Sequence, residues 1–577
     1  MLLALALLAF AGPDGAKVFE EKCSGCHKPG SETRAPLPAV LKEMARAAIV
    51  KSLESGSMKA QGAALTADER LAVAMFLSAK IDAPAALANT CPMPMPALSK
   101  LTGWNGWSAS AGNTRYVART VDPAKLKLKW AFGHPGSVTA VSQPTVVDSV
   151  LFMGSEKGIV YALDAATGCE FWRYQAEAGV RVSILVHDGA ALFGDTKANV
   201  YSIDAQTAAL KWKLNLDKHP FARITGTPSL HEDRLYVPVS SAEEVPAGNP
   251  KYPCCTFRGS VAAINSGDGK LLWQTYMIPD EPKPTTKNSA GTQRMGPAGA
   301  AVWLSPTIDP KRKMLYVGTG NGYGEPETPF TDAVVALDLA TGARKWHKQL
   351  TPNDRWNLAC VGQFTANCPP NAGEDFDFGA SPLLVKGADG KDRILAGQKS
   401  AIVHALDPDA EGAILWQTRV GQGGALGGVE FGMAADARAV YVPLSDFNGR
   451  DAMAGGGLFA LQITTGEKLW HTPPPPPPCK SMRPCSAAQM APATALQNVI
   501  FSGSMDGTLR GYDSATGKIV WEFPTLTEFE TVNQVKAKGG SLNSTGAVIV
   551  GKMLYVQSGY GALGGIPGNV LLAFELQ

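Results

Sequence analysis

The sequence is short of charge. Of its 577 residues only 18% are Asp, Glu, Lys or Arg, where soluble domains carry roughly 25%. The two signs nearly cancel, 53 Lys+Arg against 51 Asp+Glu, for a net charge of +2. No broad basic surface is available to neutralise phosphates, so nucleic acid is not an expected partner. Long apolar runs are missing as well: no stretch reaches the ~18 residues of a membrane-spanning helix, and no integral membrane segment is expected. Residues 1–11, MLLALALLAFA, are too short to span a bilayer and lack a Lys/Arg n-region, yet they match the apolar core of a signal peptide. Ten cysteines favour an oxidising compartment. Export to the periplasm is therefore the expectation. An apolar share of 45% excludes disorder except locally.

Histidine is also scarce, at eight residues, but one of them closes Cys23-Ser24-Gly25-Cys26-His27. This CxxCH is the attachment pattern of haem c. Two thiols one helical turn apart can add to the two porphyrin vinyl groups, and the His that follows points at the iron. A second axial ligand is needed some tens of residues later, and a thioether there raises the iron potential. Met58, in the loop Gly56-Ser57-Met58-Lys59-Ala60, fits; Met44 and Met75 lie on apolar helical faces and read as core. Thr66 with Glu69 three residues on is a capping signature that opens a closing helix ending near Ser78. The region resembles a small all-α cytochrome c domain over about residues 13–82.

Residues 83–103 begin with an Ala/Pro-rich run, CPMPMP at 91–96 included, and read as a linker. The chain then repeats itself. An apolar strand, Asp or a substitute, Thr-Gly or similar, then Trp recurs seven times, ending at Trp172, Trp212, Trp273, Trp346, Trp416, Trp470 and Trp521. An eighth copy is split: Val570–Leu576 supplies one strand, and Leu126 to Trp130 the strand that ends in the missing Trp. Spacings of 40 to 73 residues suit four-stranded blades with insertions. Pairing the two ends would close the ring and remove its sheet edges. The Asp-x-x-Thr-Gly portion supplies a tight turn, and the Trp can pack on the neighbouring blade. The fold expected for residues 104–577 is an all-β, eight-bladed propeller. The six prolines 473–478 make a stiff loop between blades.

The Trp-ended repeats resemble those of the quinoprotein alcohol dehydrogenases, propellers that hold pyrroloquinoline quinone (PQQ) and a divalent cation near the ring axis. Five stretches outside the repeat carry the likeness. Ile224-Thr225-Gly226-Thr227-Pro228 with Ser240-Ser241-Ala242-Glu243 resembles the segment of quinone contacts, Thr225 and Ser240, and of a metal-binding Glu. Counting from Gly226 selects Glu243, with Glu244 its rival. Trp303 before Leu304-Ser305-Pro306 is similar to the Trp that stacks on the quinone; Gly318-Thr319-Gly320-Asn321-Gly322 to the loop of the metal-binding Asn. Asp375-Phe376-Asp377-Phe378-Gly379 resembles the loop of the catalytic Asp, here Asp377, and Gln398-Lys399-Ser400 places Lys399 beside the reactive carbonyl. Where lanthanide-using relatives have an extra Asp, this chain has Gly379, and the hard oxygen ligands Glu243, Asn321 and Asp377 suit Ca²⁺.

One departure stands out. The family often carries vicinal cysteines early in the ring, where this chain reads Val180-Arg181-Val182-Ser183; Cys254-Cys255 occurs later instead. That pair, the haem motif and the closing GNVLLAF look most like the polyvinyl-alcohol dehydrogenase (cytochrome) group of the family. The resemblance implies a vicinal disulfide at Cys254–Cys255 beside the quinone, an ordinary loop disulfide being the alternative. Cys91 with Cys169, Cys360 with Cys368 and Cys479 with Cys485 can pair on paper, although spacing does not fix connectivity. The implied activity is oxidation of alcohols, secondary and polymeric ones such as polyvinyl alcohol included. In that reading PQQ takes the hydride, Asp377 the proton, and Lys399 supports the developing charge. Electrons would leave through a haem held by Cys23, Cys26, His27 and Met58 to an external acceptor such as a soluble cytochrome c. Competing readings are a non-catalytic haem-bearing propeller scaffold and a PQQ enzyme for sugars or aldehydes.

Overall fold

The computed structural model describes residues 14–28, 35–42, 44, 46–78, 89–361, 365–447, 451–479, 482 and 484–576. The signal-peptide reading of residues 1–11 lies outside them. The chain forms two compact units, Met1–Leu87 and Ala88–Gln577.

The first unit is helical: α1 Gly15–Lys22, α2 Pro38–Leu41, α3 Arg46–Glu54, α4 Lys59–Gly62 and α5 Ala67–Leu77. The Asp14 carboxylate caps α1 by accepting from the Ala16 and Lys17 amides. At α5 the Thr66 hydroxyl accepts from the Glu69 amide and the Glu69 carboxylate from the Thr66 amide, which is the reciprocal box expected from the sequence. Val18 and Phe19 of α1 pack with Ile49, Leu53, Val73 and Leu77 in a single small core.

The second unit is the propeller, with eight sheets of at least four strands. Its ring closes as the split repeat requires. Leu126–Gly133 pairs antiparallel with Val570–Leu576 along their whole length, completing blade 8. Blade 1 runs from Thr145–Val147 to Glu170–Gln175 and blade 3 from Ser229–His231 to Leu271–Tyr276. Blades 4 and 5 follow from Thr307–Asp309 to Arg344–Gln349 and from Leu383–Lys386 to Ala413–Arg419, and blades 6 and 7 from Ala434–Ala435 to Lys468–Thr472 and from Thr494–Leu496 to Ile519–Pro524.

The repeat's Thr-Gly and Trp are two halves of one joint. The indole N–H of Trp212, Trp273, Trp416 and Trp470 donates to a turn carbonyl of the next blade, at Ser266, Leu339, Ile463 and Ser514 respectively. The indole plane lies against that turn's glycine. At Gly342 (φ +71°) a Cβ would stand 2.4 Å from the Trp273 ring, so both the left-handed backbone and the Trp demand glycine. The second repeat has Ala208 at this position, at φ 62°. Trp172 packs there and donates to the Ala205 carbonyl.

Residues 89–119, part of which reads as linker, are bound to the ring. Cys91 is disulfide-bonded to Cys169, and Asp148 accepts from the amides of Ser99 to Thr102. Beyond them the chain straps the innermost strands together. Gly103–Trp104 adds to blade 1, and the Asn105 side chain exchanges two hydrogen bonds with Val186. The carbonyls of Ala111, Gly112, Thr114 and Arg115 then accept from Ile308, Leu384, Ala435 and Ala495 in blades 4 to 7. Arg115 is fully buried between Trp104 and Trp107, 5.2 and 4.8 Å from their rings, and donates to the Ala493 and Trp107 carbonyls.

Candidate active site and haem pocket

The loop between blades 4 and 5 and the turn between two strands of blade 5 bring one ammonium against two carboxylates. Lys399 Nζ lies 3.0 Å from Asp375 Oδ2 and 3.1 Å from Asp377 Oδ2. All three side chains are at least nine-tenths buried. Asp377 Oδ1 accepts from the Asn321 amide at 2.6 Å, and the Lys399 amide donates to the Asp377 carbonyl at 3.0 Å. Burial alone would strip the Lys399 charge, but Asp375 and Asp377 outweigh it and hold the ammonium well above its ordinary range. Asp375 is pushed up, first by burial and then by the Asp377 charge, and its Oδ1 has no donor. It lies two residues before Asp377 in an irregular loop, and its left-handed backbone (φ +63°) lets both carboxylates reach Lys399. That Asp-x-Asp spacing is the signal that could have singled out Asp375 beforehand.

Glu243 and Glu244 part company. Glu243 is fully buried and its carboxylate is filled by donors from the Tyr252–Phe257 loop, so it is turned away from Lys399. Glu244 is the one that faces the cluster: burial and the Asp377 charge raise it to about 7, against the pull of Lys399. Asn321 spends its amide N–H₂ on the Gly322 and Trp356 carbonyls, which leaves its side-chain oxygen as the group it can offer. Among the described residues no three His, Cys, Asp or Glu side chains converge as a metal cage. Two mutually repelling carboxylates and an amide oxygen are, however, the donor types a hard cation takes together with a ligand's own oxygens.

Trp303 lies beside this cluster, its ring centroid 5.8 Å from Lys399 Nζ. Phe431 meets it edge-on at 5.8 Å, and its buried Nε1 has no partner. A Cβ on Gly379 would stand 2.4 Å from both the Trp303 ring and the Glu430 carbonyl, so nothing larger than glycine fits there. A neighbouring cavity of about 320 Å³ is lined by Trp107, Arg181, Thr225, Phe431 and Ser544, among others. Thr225 Oγ1 is 2.8 Å from Ser240 Oγ and 3.1 Å from the Trp303 carbonyl. Ser240 is buried behind Thr225, bonded also to the Arg223 carbonyl at 3.2 Å, and does not line the cavity. Arg181, to which the sequence assigns no role, sits 5.5 Å from the Phe431 ring. Cys254 and Cys255 form a vicinal disulfide, and Cys360–Cys368 and Cys479–Cys485 are bonded as well. The vicinal pair belongs to the apolar cluster against which Trp303 packs.

In the first unit, a cavity of about 560 Å³ is lined by Cys23, His27 and Met58 together with Phe19, Leu41, Met44, Ile49, Leu53, Leu65, Val73 and Leu77. His27 is buried, and its Nδ1 lies 2.7 Å from the Pro36 carbonyl, which fixes the ring and leaves Nε2 for another partner. A thiol, an imidazole and a thioether around an apolar hollow fit a haem. Met44 shares the lining with Met58, so two thioethers face the same hollow.

Two protein-family models match the chain. One, described as outer membrane protein assembly factor BamB, matches residues 96–325 and 329–571. The other, described as cytochrome C oxidase, cbb3-type, subunit III, matches residues 11–77. A polyvinylalcohol dehydrogenase of a Pseudomonas species is 39% identical, over 98% of this chain and 94% of that protein. Its counterpart from Sphingopyxis sp. strain 113P3 is 37% identical, over 98% and 93%. The chain belongs to the PQQ-dependent dehydrogenase family. Among solved structures, a quinohemoprotein alcohol dehydrogenase of Pseudomonas putida HK5 shares the fold, with a TM-score of 0.64 at 19% identity over 85% of this chain and 83% of that one. This dehydrogenase is an oxidoreductase that joins a PQQ propeller to a cytochrome c domain.

Proposed function

We propose that the dehydrogenase oxidises alcohols to carbonyls in the periplasm, secondary alcohols of polymers such as polyvinyl alcohol included, with Ca²⁺ beside PQQ. The observation that carries this reading is the buried pairing of Lys399 with Asp375 and Asp377 beside Trp303. When bound, PQQ with its cation supplies a two-electron hydride acceptor, and haem c a one-electron outlet. Asp377 takes the hydroxyl proton of the alcohol on Oδ2 while the Asn321 amide keeps Oδ1 in place. Lys399 orients that carboxylate and sets a positive charge where negative charge develops. Trp303 is the platform for a planar ligand, with Phe431 at its edge excluding water. Glu244, Asn321 and Asp377 hold the cation; Glu243, saturated by its own donors, does not. Gly379, pressed between Trp303 and Glu430, leaves no room for a further carboxylate ligand, in keeping with calcium. Thr225 contacts the ligand, and Ser240 buttresses Thr225. Cys23 and Cys26 bind the haem covalently, with His27 and Met58 on the iron. Held there, haem c would supply a one-electron path to an external acceptor such as a soluble cytochrome c.

Two measurements on the holoenzyme test the reading. Asp377→Asn should cut turnover by about 10²–10⁴-fold while PQQ stays bound; near-normal turnover would remove its role as base. Anaerobic addition of a secondary alcohol or polyvinyl alcohol should reduce the haem, seen as the appearance of the sharp visible bands of the ferrous form, and a haem that stays oxidised while the alcohol is consumed would refute the electron route. A panel that adds primary alcohols, sugars and aldehydes fixes the substrate class.

A further inference from the structure

Glu243 is left without a part in this chemistry, yet few carboxylates in the chain are so heavily bound. Its side chain is 0% exposed. Oε1 accepts from Tyr252 Oη at 2.8 Å, the Thr256 amide at 2.9 Å and Thr256 Oγ1 at 3.3 Å. Oε2 accepts from the Thr256 amide at 3.0 Å and the Phe257 amide at 2.7 Å. His219 Nε2 stands 3.4 Å from Oε1 and 3.0 Å from Thr256 Oγ1. Apart from His219, every donor comes from the loop that carries Cys254–Cys255.

That loop leads on to the proposed cation ligands through the backbone. The cysteine pair and Met295 are joined by two hydrogen bonds: the Met295 amide donates to the Cys254 carbonyl at 2.7 Å and the Cys255 amide to the Met295 carbonyl at 3.1 Å. The Gly299 amide donates to the Phe257 carbonyl at 2.8 Å, and the Ala300 amide to the Asn321 carbonyl at 2.9 Å. Asn321 in turn donates to Asp377. On its other side Glu243 is covalently next to Glu244, whose carbonyl accepts from the Leu358 amide at 3.2 Å. One carboxylate therefore ties the turn of Glu244 to the loop that registers Asn321.

We propose that Glu243 is a positioning residue of the dehydrogenase: its carboxylate clamps the Cys254–Cys255 loop and thereby sets Glu244 against Asn321 and Asp377 for cation binding. The inference rests on the reading of those three residues as cation ligands. An amide cannot replace the clamp. Backbone N–H groups point at both oxygens, so the N–H₂ of Gln meets at least one of them whichever way it is turned.

The test is reconstitution of cation-free full-length enzyme with PQQ, titrated with Ca²⁺ and followed by the absorption of bound PQQ. Glu243→Gln should raise the apparent Ca²⁺ dissociation constant about 10–100-fold, with kcat at saturating Ca²⁺ within about threefold of the wild type. A general loss of structure would instead lower kcat at every Ca²⁺ concentration. Tyr252→Phe and His219→Gln, each removing one contact, should give smaller shifts in the same direction and serve if Glu243→Gln does not fold. Ca²⁺ constants within twofold of the wild type in the folded variants would overturn the proposal. Glu244→Gln separates the two readings: if it binds Ca²⁺ like the wild type, the ligand assignment itself fails.

Discussion

The two units reach a cofactor site by opposite routes. In the helical unit the hollow of about 560 Å³ is walled by the very side chains that make its small core. A haem there completes the core, and covalent attachment keeps it in place. In the propeller the blades carry their own cores, and the polar groups of the site are already held by one another before any ligand is present. The first unit borrows stability from its cofactor; the second lends rigidity to its own. The contrast teaches where binding and folding are coupled and where they are separate.

The largest effect should come from breaking that coupling. With Cys23→Ser and Cys26→Ser in the full chain, haem-linked reduction of cytochrome c should vanish, and protease should cut within residues 14–78 while the propeller resists. Haem staining and limited proteolysis read this out, and an uncut helical unit would erase the distinction. Next is the prebuilt polar cluster. Lys399→Met strands Asp375 and Asp377 in a dry site, a loss of about 3–5 kcal/mol for breaking a buried pair. The thermal midpoint of the PQQ-free propeller should fall accordingly. If it does not, the cluster is not self-supporting and both units depend on their ligands.

Gly342→Ala probes the scaffold beneath the site. A methyl 2.4 Å from Trp273, on a backbone at φ +71°, should cost about 1–3 kcal/mol without altering PQQ affinity. The equivalent Ala208 in the second repeat sets the lower bound. The smallest effect is electrostatic. Burial lowers His134 to about 4 and His404 to about 3, so both are neutral in the folded ring. The unfolded chain binds their protons below about pH 6.5. Propeller stability should therefore fall as pH drops from about 6.5 toward 4, by up to about 1.4 kcal/mol per pH unit for each histidine. His134→Gln should flatten the slope measured by denaturant unfolding, and an unchanged slope would place the sensitivity elsewhere.

The propeller was legible in the sequence because its joint is local and typed: Asp, Thr-Gly and Trp fall within a dozen residues and recur. The closing strand could be placed by asking where the eighth Trp belonged. The haem motif and the box at Thr66 and Glu69 are likewise local. Choosing between Glu243 and Glu244 was beyond reach, because donors at Tyr252, Thr256 and Phe257 decide which carboxylate is free. Ser240 is displaced from the cavity by Thr225 for the same kind of reason. Asp375 showed its spacing but not its partner, since Lys399 is 24 residues away. The strap over residues 102–119 was not legible: its contacts to blades 4 to 7 run through backbone carbonyls, which every residue has, and the partners of the Asn105 and Arg115 side chains are remote in sequence.

That strap and the strand after it cannot be completed until the later blades are present. Lys129 meets Glu575 across a separation of 446 residues. The strand Leu126–Gly133 stays unpaired on one side until Val570–Leu576, the partner that completes its blade, is in place. During that wait its edge is open to other chains. Lys127 and Lys129 are exposed on that strand, and charges of this kind disfavour pairing with another chain.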